Sequence, residues 1–306
     1  MNSPLCLIVN PTAGNGRARA LLPAAMAALL AAGAEHTVTE SVSLAHAREL
    51  ATGAAARGEV IVAVGGDGMA GSMAGVAATR GAQFGLIPAG RGNDLAGVLG
   101  IPADPGAAAR VLTDGRLRQI DLIAVSAPGH EEVIVAGSVY AGIPAVAGEI
   151  ANATRWLRGG IVYPVAALRA LARWQPAAFT VQVAGRDAHE FDGYAVVVAN
   201  SAYFGAGMQV APPARIDDGV LDLVLMRHAP KLTFVRALQK IKDGSHVALP
   251  VITLDRGTDV TVTISRDLPA AADGEPLPCA CPLPAGTPLR IRVLPAALTV
   301  LVPAAP

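Results

Sequence analysis

The stretch "EVIVAVGGDGMAGSMAGVAA", residues 59–78, decides how the rest of the chain is read. After Glu59 it runs apolar and unbroken to Val64, turns through Gly65 and Gly66, and reaches one carboxylate, Asp67. An alanine-rich helical segment follows. A short apolar run without alternation is the pattern of a strand buried on both faces, as in a parallel sheet. The unit therefore reads as strand, glycine turn and helix. The lone Asp among glycines is the residue that needs a reason.

The same unit recurs on both sides. "LCLIVN" (5–10) is a strand, "PTAGNG" (11–16) its turn, and a helix follows. "HTVTES" (36–41) and "LAHARELATGAAA" (44–56) repeat the pattern, as do "FGLIPAG" (84–90) and "NDLAGVLG" (93–100). This alternation implies a parallel sheet with helices on its faces. After "RQIDLIAVS" (118–126) strand signals dominate: "EEVIVAGSVY" (131–140), "AFTVQVAG" (178–185), "GYAVVVAN" (193–200), "GVLDLVLM" (219–226), "DVTVTIS" (259–265) and "LRIRVL" (289–294). Turn residues separate them at short intervals, which reads as a β-sandwich or barrel. Helices are expected near 144–158, 163–173 and 231–242. The expected division is an α/β domain over 1–123 and a mostly-β domain over 124–290. The segment 291–306 is free to return to the first domain, because chain termini often lie close together.

Composition excludes some functions. The 306 residues carry 24 Lys plus Arg and 24 Asp plus Glu, so no basic field points to nucleic acid. Apolar residues make up 52% of the chain, yet no run reaches the roughly 18 residues of a membrane-crossing helix. "LLPAAMAALLAAGA" (21–34) reads as a buried helix. "MNSPLCLIVN" (1–10) lacks the basic start of a signal peptide. Of the three cysteines, Cys279 and Cys281 stand two apart without a nearby His, poor spacing for zinc, and Cys6 sits in the first strand. A sparse, odd count fits the cytoplasm without a disulfide framework.

Three glycine turns, at 10–16, 65–69 and 88–94, end strands of the first domain. Ligands of an open parallel sheet bind at the carboxyl ends of its strands. Glycine lets backbone approach an anion, and the N–H groups at a following helix start hold phosphate oxygens. Three such turns on one edge suggest a polyphosphate site. GxxxxGK[ST] is absent, and "GNGRAR" (14–19) lacks the third Gly of GxGxxG.

"NPTAGNGR", "VGGDGM", "IPAGRGND", "ARIDDGVLD" and "DGEP", in that order, resemble the diacylglycerol kinase catalytic family, which includes bacterial lipid kinases and the sphingosine and ceramide kinases. The resemblance runs from Asn10 to the final "LTVLVP" (298–303). GGDG alone is shared with NAD kinases and phosphofructokinases; the "DDG" and "DGEP" elements narrow it. It implies an NAD kinase/phosphofructokinase-like α/β domain with a parallel sheet, a C-terminal β-sandwich, and an active site in the cleft between them that takes ATP and Mg²⁺.

Carried over by position, the resemblance implies nucleotide loops at Asn10, Pro11, Thr12, Ala13 and Gly14 and at Gly65, Gly66, Asp67, Gly68, Met69, Ala70 and Gly71. Ser41 stands near a nucleotide-contacting position, and Arg91, Asn93 and Asp94 belong to the third turn. Asp67 would organise Mg²⁺, with Asp121 as a further acidic metal position lining the cleft. Glu275 matches the general base, with Asp273 beside it. Arg215, Asp218 and Val220 match a separate structural Mg²⁺ site.

The chemistry is coherent on its own terms. Phosphoryl transfer to an alcohol needs in-line positioning, charge neutralisation and a base near the hydroxyl. Mg²⁺ prefers one or two carboxylates with phosphate oxygens and water, which suits one Asp in an open glycine loop. In an extended segment, Asp273 and Glu275 would point to the same side. On spacing alone "ADGEP" is equally an Asp-Gly turn.

The chain also departs from the family pattern. Met69, Gly71 and Ser72 replace Thr, Asn and Glu after GGDG, and Arg91 replaces Thr in "GRGND". The guanidinium fork of Arg91 suits a phosphate, and solvent is the other reading. "YAGIPAVA" (140–147) carries Pro144 where the family often has Asp nearby. His46 and His246 are expected on a helix face and in a loop, without a catalytic role. "RWLRGGIVYPVAALRALARW" (155–174) carries Arg155, Arg158, Arg169 and Arg173 with Trp156 and Trp174. It is either an amphipathic helix on the sandwich or a helix resting on a lipid interface.

The expected activity is transfer of the γ-phosphate of ATP to a diacylglycerol-like lipid, by a cytoplasmic protein at the membrane surface without a transmembrane segment. The expected partner is the lipid substrate and not nucleic acid, with a homodimer left open. The rival readings are a kinase of a sphingoid base, a polyprenol-like alcohol or NAD, and a non-catalytic nucleotide- or lipid-binding relative.

Overall fold

The computed structural model describes residues 3–153, 162–205, 207–279 and 282–304. The first lobe alternates β1 (Leu5–Val9), α1 (Arg17–Ala31), β2 (His36–Glu40), α2 (Leu44–Ala56), β3 (Val60–Gly65), α3 (Asp67–Arg80), β4 (Phe84–Pro88), α4 (Asp94–Val98) and α5 (Pro105–Asp114). β2, β1, β3 and β4 lie side by side and parallel. β1, β3 and β4 are buried at every position, as expected of strands covered on both faces. The 21–34 segment differs from its expectation. Only Ala18, Leu21, Ala25 and Leu29 of α1 are buried, and Leu30 is 67% exposed. Spacing of three or four residues gives α1 one buried face, so alanine content overstated its burial.

The second lobe is antiparallel. It contains β5 (Arg116–Ser126), β6 (Val133–Val135), β7 (Ser138–Gly142), α6 (Ile143–Ala153), α7 (Val162–Arg173), β8 (Ala177–Val183), β9 (His189–Ala199) and the short ribbon β10 (Tyr203–Phe204) with β11 (Met208–Gln209). It continues through β12 (Leu221–Arg227), α8 (Lys231–Lys240), β13 (Ile252–Gly257), β14 (Asp259–Ile264), β15 (Ala270–Ala272), β16 (Glu275–Pro276) and β17 (Leu289–Val302). Arg155, Trp156, Arg158 and Cys281, singled out above, lie outside the described residues. β14 and β8 alternate buried with less buried positions, the signature of a half-covered sheet. The two lobes form an α/β unit with a parallel sheet and a β-sandwich.

β5 and β17 bind the lobes together. β17 pairs with β14 near Ile291, with β5 over most of its length, and with β4 at Val300–Phe84. The residue 123–124 boundary falls inside the continuous β5. β17 bulges between Leu294 and Leu298, where Ala296 has φ +48°. The bulge is pinned by Asp121 on β5, whose Oδ1 accepts the Ala296 N–H at 2.7 Å.

Candidate active site

The three glycine turns meet at the carboxyl ends of β1, β3 and β4. They pack backbone on backbone: a Cβ on Gly90 would lie 2.5 Å from Gly66 Cα, and one on Gly14 would lie 2.4 Å from Ala89 O. Side chains are excluded there by contact, and Gly14 also has φ +58°. Asn93 fixes the third turn. It has φ +58°, and its Oδ1 accepts the Gly90 N–H at 2.7 Å. Asn10 fixes the first, accepting from the Thr12 N–H and hydroxyl at 3.1 and 2.8 Å. Pro11 and Ala13 belong to that same turn.

Asp67 begins α3. Its Oδ2 accepts the Asn93 N–H at 2.7 Å and its Oδ1 the Leu95 N–H at 3.2 Å. Burial, then the nearby Asp94, push its carboxyl up to about 6; the two N–H donors act the other way, and Asp273 adds a smaller upward push. No cation pairs with it among the described residues. Gly66 caps α3 without a side-chain bond, so the first N–H groups of a 14-residue helix remain for another acceptor.

The hairpin from the second lobe completes the site. Asp273 and Gly274 have φ +48° and +88° and form the turn between β15 and β16, with Ala272 opposite Glu275. This corrects the extended geometry expected for "DGE": an Asp-Gly pair at positive φ is a tight hairpin turn. Both carboxylates still reach α3. A Cβ on Gly68 would meet Glu275 Cγ at 2.6 Å, and one on Gly71 would meet Asp273 Oδ2 at 2.8 Å. Asp273 accepts three backbone N–H bonds, from Ala136 (2.8 Å), Gly137 (2.9 Å) and Ser138 (2.9 Å). Burial pushes its carboxyl upward against those three donors. Glu275 makes no such bonds among the described residues and is exposed on the hairpin; desolvation of its carboxyl where it meets α3 pushes it up as well. The single strand expected at 131–140 is broken at Ala136–Gly137 into β6 and β7, which turns these N–H groups toward Asp273.

One cavity of about 550 Å³ begins at this site. Asp67, Arg91, Asp94 and Asp273 line one part of it; Ile143, Ala147, Val197, Met226, Phe234 and Leu238 line much of the remainder. Glu275 follows Gly274 just outside the lining. Asp94 ties the lobes together by accepting the Gly207 N–H at 2.7 Å.

Some expected site residues stand elsewhere. Ser41 is buried, with its hydroxyl donating to the Val9 carbonyl at 3.0 Å. Asp121 is 3% exposed, and its second oxygen accepts the Gly219 N–H at 2.6 Å. It is absent from the cavity lining and serves as a tie between β5, β17 and the 217–220 loop. In that loop Asp218 accepts the Val220 N–H at 3.2 Å and pairs with Arg256 at 2.5 Å. Arg215 lines a separate surface depression with Asp218, Asp222 and Arg256.

Other contributors had no local signal. The Tyr140 hydroxyl accepts the Gly274 N–H at 3.2 Å. Asn200, fully buried, donates to the carbonyls of Asp121 (2.9 Å) and Ala136 (3.0 Å). His246, expected in a loop, is buried in a 3-10 turn on the cavity wall, 3.0 Å from the Val210 carbonyl. His46 is on α2, where its Nδ1 accepts the Val42 N–H at 3.2 Å. Trp174 turns inward beneath Arg266, 5.1 Å from its ring centre.

Two family models match the chain, one on each lobe. Residues 4–125 match the diacylglycerol kinase catalytic domain, and residues 137–302 match the YegS C-terminal NAD kinase beta sandwich-like domain. A protein named diacylglycerol kinase from Mycobacterium tuberculosis H37Rv is 31% identical over 298 residues, covering 97% of this chain and 94% of its own. The chain belongs to the diacylglycerol kinase family. Its fold is shared with a Bacillus anthracis diacylglycerol kinase crystal structure (TM-score 0.72, 19% identity, 98% and 97% of the two chains). It is shared more distantly with an Archaeoglobus fulgidus NAD kinase solved in complex with ATP (TM-score 0.54, 15% identity, 97% and 92%).

The residues present fit a nucleotide and a divalent cation. The uncapped start of α3 offers N–H groups to phosphate, and Arg91, exposed and without an ion-pair partner among the described residues, stands at the same mouth. Asp94 and Asp273 add negative charge around Asp67, and among the described residues no Lys or Arg pairs with Asp67. Among the described residues no three His, Cys, Asp or Glu side chains converge. A Mg²⁺ here would rest on a carboxylate, phosphate oxygens and water.

Proposed function

We propose that this kinase transfers the γ-phosphate of ATP to the hydroxyl of a diacylglycerol-like lipid, giving a phosphatidic-acid-like product. The cavity carries the reading: a mostly apolar space of about 550 Å³ that begins at Asp67, Asp94 and Asp273 suits an apolar alcohol with its hydroxyl at the carboxylates. The N–H groups of Gly68 and Met69 and the turn from Asn10 to Gly14 hold phosphate oxygens, with Arg91 on the outer side. Asp67 holds Mg²⁺, which neutralises phosphate charge when bound.

Glu275 takes the proton of the lipid hydroxyl. The oxygen forms its bond to the γ-phosphorus as the bond to the bridging oxygen breaks, and ADP leaves. Elevation of the Glu275 carboxyl by partial desolvation against α3 suits a base, since a higher pKa is a stronger driving force for proton uptake. Asp273, held by three N–H groups, positions the hairpin that presents Glu275. The protein works from the cytoplasm at the membrane surface; among the described residues no helix is long and apolar enough to cross a membrane.

The test is a labelled-ATP assay with Mg²⁺ and a panel of lipid alcohols in detergent micelles, with NAD in water as control. Label is expected in the organic phase, on a diacylglycerol. Label on NAD alone would overturn the lipid reading, and ATP binding without transfer to any alcohol would favour a binding protein.

A further inference from the structure

The cavity has a second end, and it is built from helices. α7 contributes Ala167 and Leu168, and α8 with its following turn contributes Phe234, Val235, Leu238, Gln239 and Lys242. Leu168 is 45% exposed although it lines the cavity, so the cavity opens beside it. Leu232, at the start of α8, is 62% exposed.

Charge on these helices is one-sided. Residues 162–173 and 231–242 contain Arg169, Arg173, Lys231, Arg236, Lys240 and Lys242 and no Asp or Glu, in a chain whose net charge is zero. All six cations are exposed. Lys231 reaches across to the Ala172 carbonyl at 3.1 Å, which joins α7 and α8 into one face. One flanking acid, Asp243, kept ionised by the Ser245 hydroxyl and N–H at 2.7 and 3.0 Å, lies near Lys240 and offsets one of the six charges, so the face keeps a cationic excess.

We propose that the α7–α8 face docks on an anionic lipid bilayer and admits the acceptor lipid tail-side through the opening at Leu168. The inference rests on the lipid-kinase reading above. Exposed leucines enter the acyl boundary while the surrounding cations meet anionic headgroups, the arrangement of an interfacial amphipathic surface. The lipid then leaves the bilayer by a path lined with apolar side chains, and its hydroxyl reaches the carboxylate end. Each cation near an anionic surface strengthens partition by roughly fivefold, with the effect screened by salt.

Sedimentation with sonicated vesicles tests this without any turnover. The full chain is expected to bind vesicles of equal phosphatidylcholine and phosphatidylglycerol, to lose binding in high salt, and to ignore pure phosphatidylcholine. The variant Arg173→Glu/Arg236→Glu/Lys240→Glu is expected to bind at least about a hundredfold more weakly, the loss of three fivefold contributions before any repulsion by the new carboxylates. The neutral set Arg173→Gln/Arg236→Gln/Lys240→Gln covers the case in which reversal disturbs folding. Reversing Arg48, Arg80 and Arg110, exposed on α2, α3 and α5, should leave binding unchanged. Binding to neutral vesicles as strong as to anionic ones, no vesicle binding, or equal losses in both reversal sets would overturn the proposal. Anionic vesicle binding lost only with the α7–α8 set sustains docking even if no lipid is phosphorylated, so the two readings fail separately.

Discussion

Gly68 and Glu275 touch across the two lobes: a Cβ on Gly68 would stand 2.6 Å from Glu275 Cγ and 2.9 Å from its Oε1. Gly71, one turn further along α3, stands in the same relation to Asp273. Positions three apart share a helix face, so α3 offers the hairpin two adjacent notches. The glycine that replaces the usual Asn at position 71 is the one that admits the Asp273 carboxylate. Its neighbour Ser72, in place of the usual Glu, has a buried hydroxyl with no hydrogen-bond partner among the described residues.

Gly68→Ala should separate stability from chemistry. Gly68 lies in the first turn of α3, so alanine gains up to about 1 kcal/mol of helix propensity, the value of a helix interior. Glu275 must then swing aside. Urea unfolding should show stability held or raised, while phosphate transfer falls about 100-fold, the scale of a displaced base. Unchanged transfer would show that the contact has no part in the reaction.

Glu275→Gln keeps the shape of the side chain and removes its basicity. Transfer should fall by about 10²–10⁴ while ATP binding, followed by calorimetry, stays within a few-fold. Loss of ATP binding would refute the role of base.

Asp273 is expected to behave differently. Alanine there would leave three N–H groups without their acceptor, a loss of about 3 kcal/mol or more in urea unfolding. Asparagine tolerates the φ of +48° and keeps one oxygen for the Gly137 and Ser138 N–H groups but turns its NH₂ toward the Ala136 N–H, so Asp273→Asn should cost about 2 kcal/mol, less than alanine, and retain most activity. A loss of transfer as deep as that of Glu275→Gln would make Asp273 a chemical participant.

What the sequence made legible follows the range of its contacts. β1, β3 and β4 were readable because continuous apolar runs ending in glycine leave few alternatives. The glycines at 14, 66 and 90 were readable as turns on one edge of the sheet; that they let backbones touch was not. Asp121 was not readable. Its partners, Gly219 and Ala296, are about a hundred residues or more away, and nothing near "IDLI" marks it as a tie. The Asp273 cage was hidden for the same reason, since it required a strand to break at Ala136 opposite a hairpin far along the chain. Local pattern likewise made α1 look buried, because hydrophobicity without periodicity does not say how many faces are covered.

The Arg256–Asp222 pair offers a test of stability away from the reaction. Asp222 is 2% exposed, its Oδ1 lies 3.0 Å from Arg256 Nε, and its Oδ2 has no partner among the described residues. Burial pushes its carboxyl upward and Arg256 pulls it back. Arg256→Met should destabilise by about 2–3 kcal/mol, below the range for a fully enclosed pair because the arginine is half exposed. Adding Asp222→Asn should recover part of that loss in a double-mutant cycle. An additive result would mean the pair is not coupled.

Asp67 predicts the sign of a pH dependence. Its folded pKa of about 6 lies above the roughly 3.9 of an unfolded Asp. Below about pH 4 both states hold the proton, and Asp67 contributes no penalty. As pH rises from 4 to 6 the unfolded chain releases the proton more readily, so folding stability falls, and above 6 the loss is constant. Two units correspond to nearly 3 kcal/mol; partial solvent access reduces this to about 2 kcal/mol. In magnesium-free buffer, urea midpoints should show that Asp67→Asn removes this part of the slope between pH 4 and 6, so the variant gains on the wild type as pH rises, from a level set by its amide NH₂ facing the Asn93 or Leu95 N–H. Saturating Mg²⁺ should raise the wild type at pH 7 and leave the variant unchanged, because only the ionised wild-type carboxylate can hold the ion. Parallel pH curves for the two proteins without Mg²⁺ would show that burial and the Asp94 carboxylate do not raise Asp67 as the geometry requires.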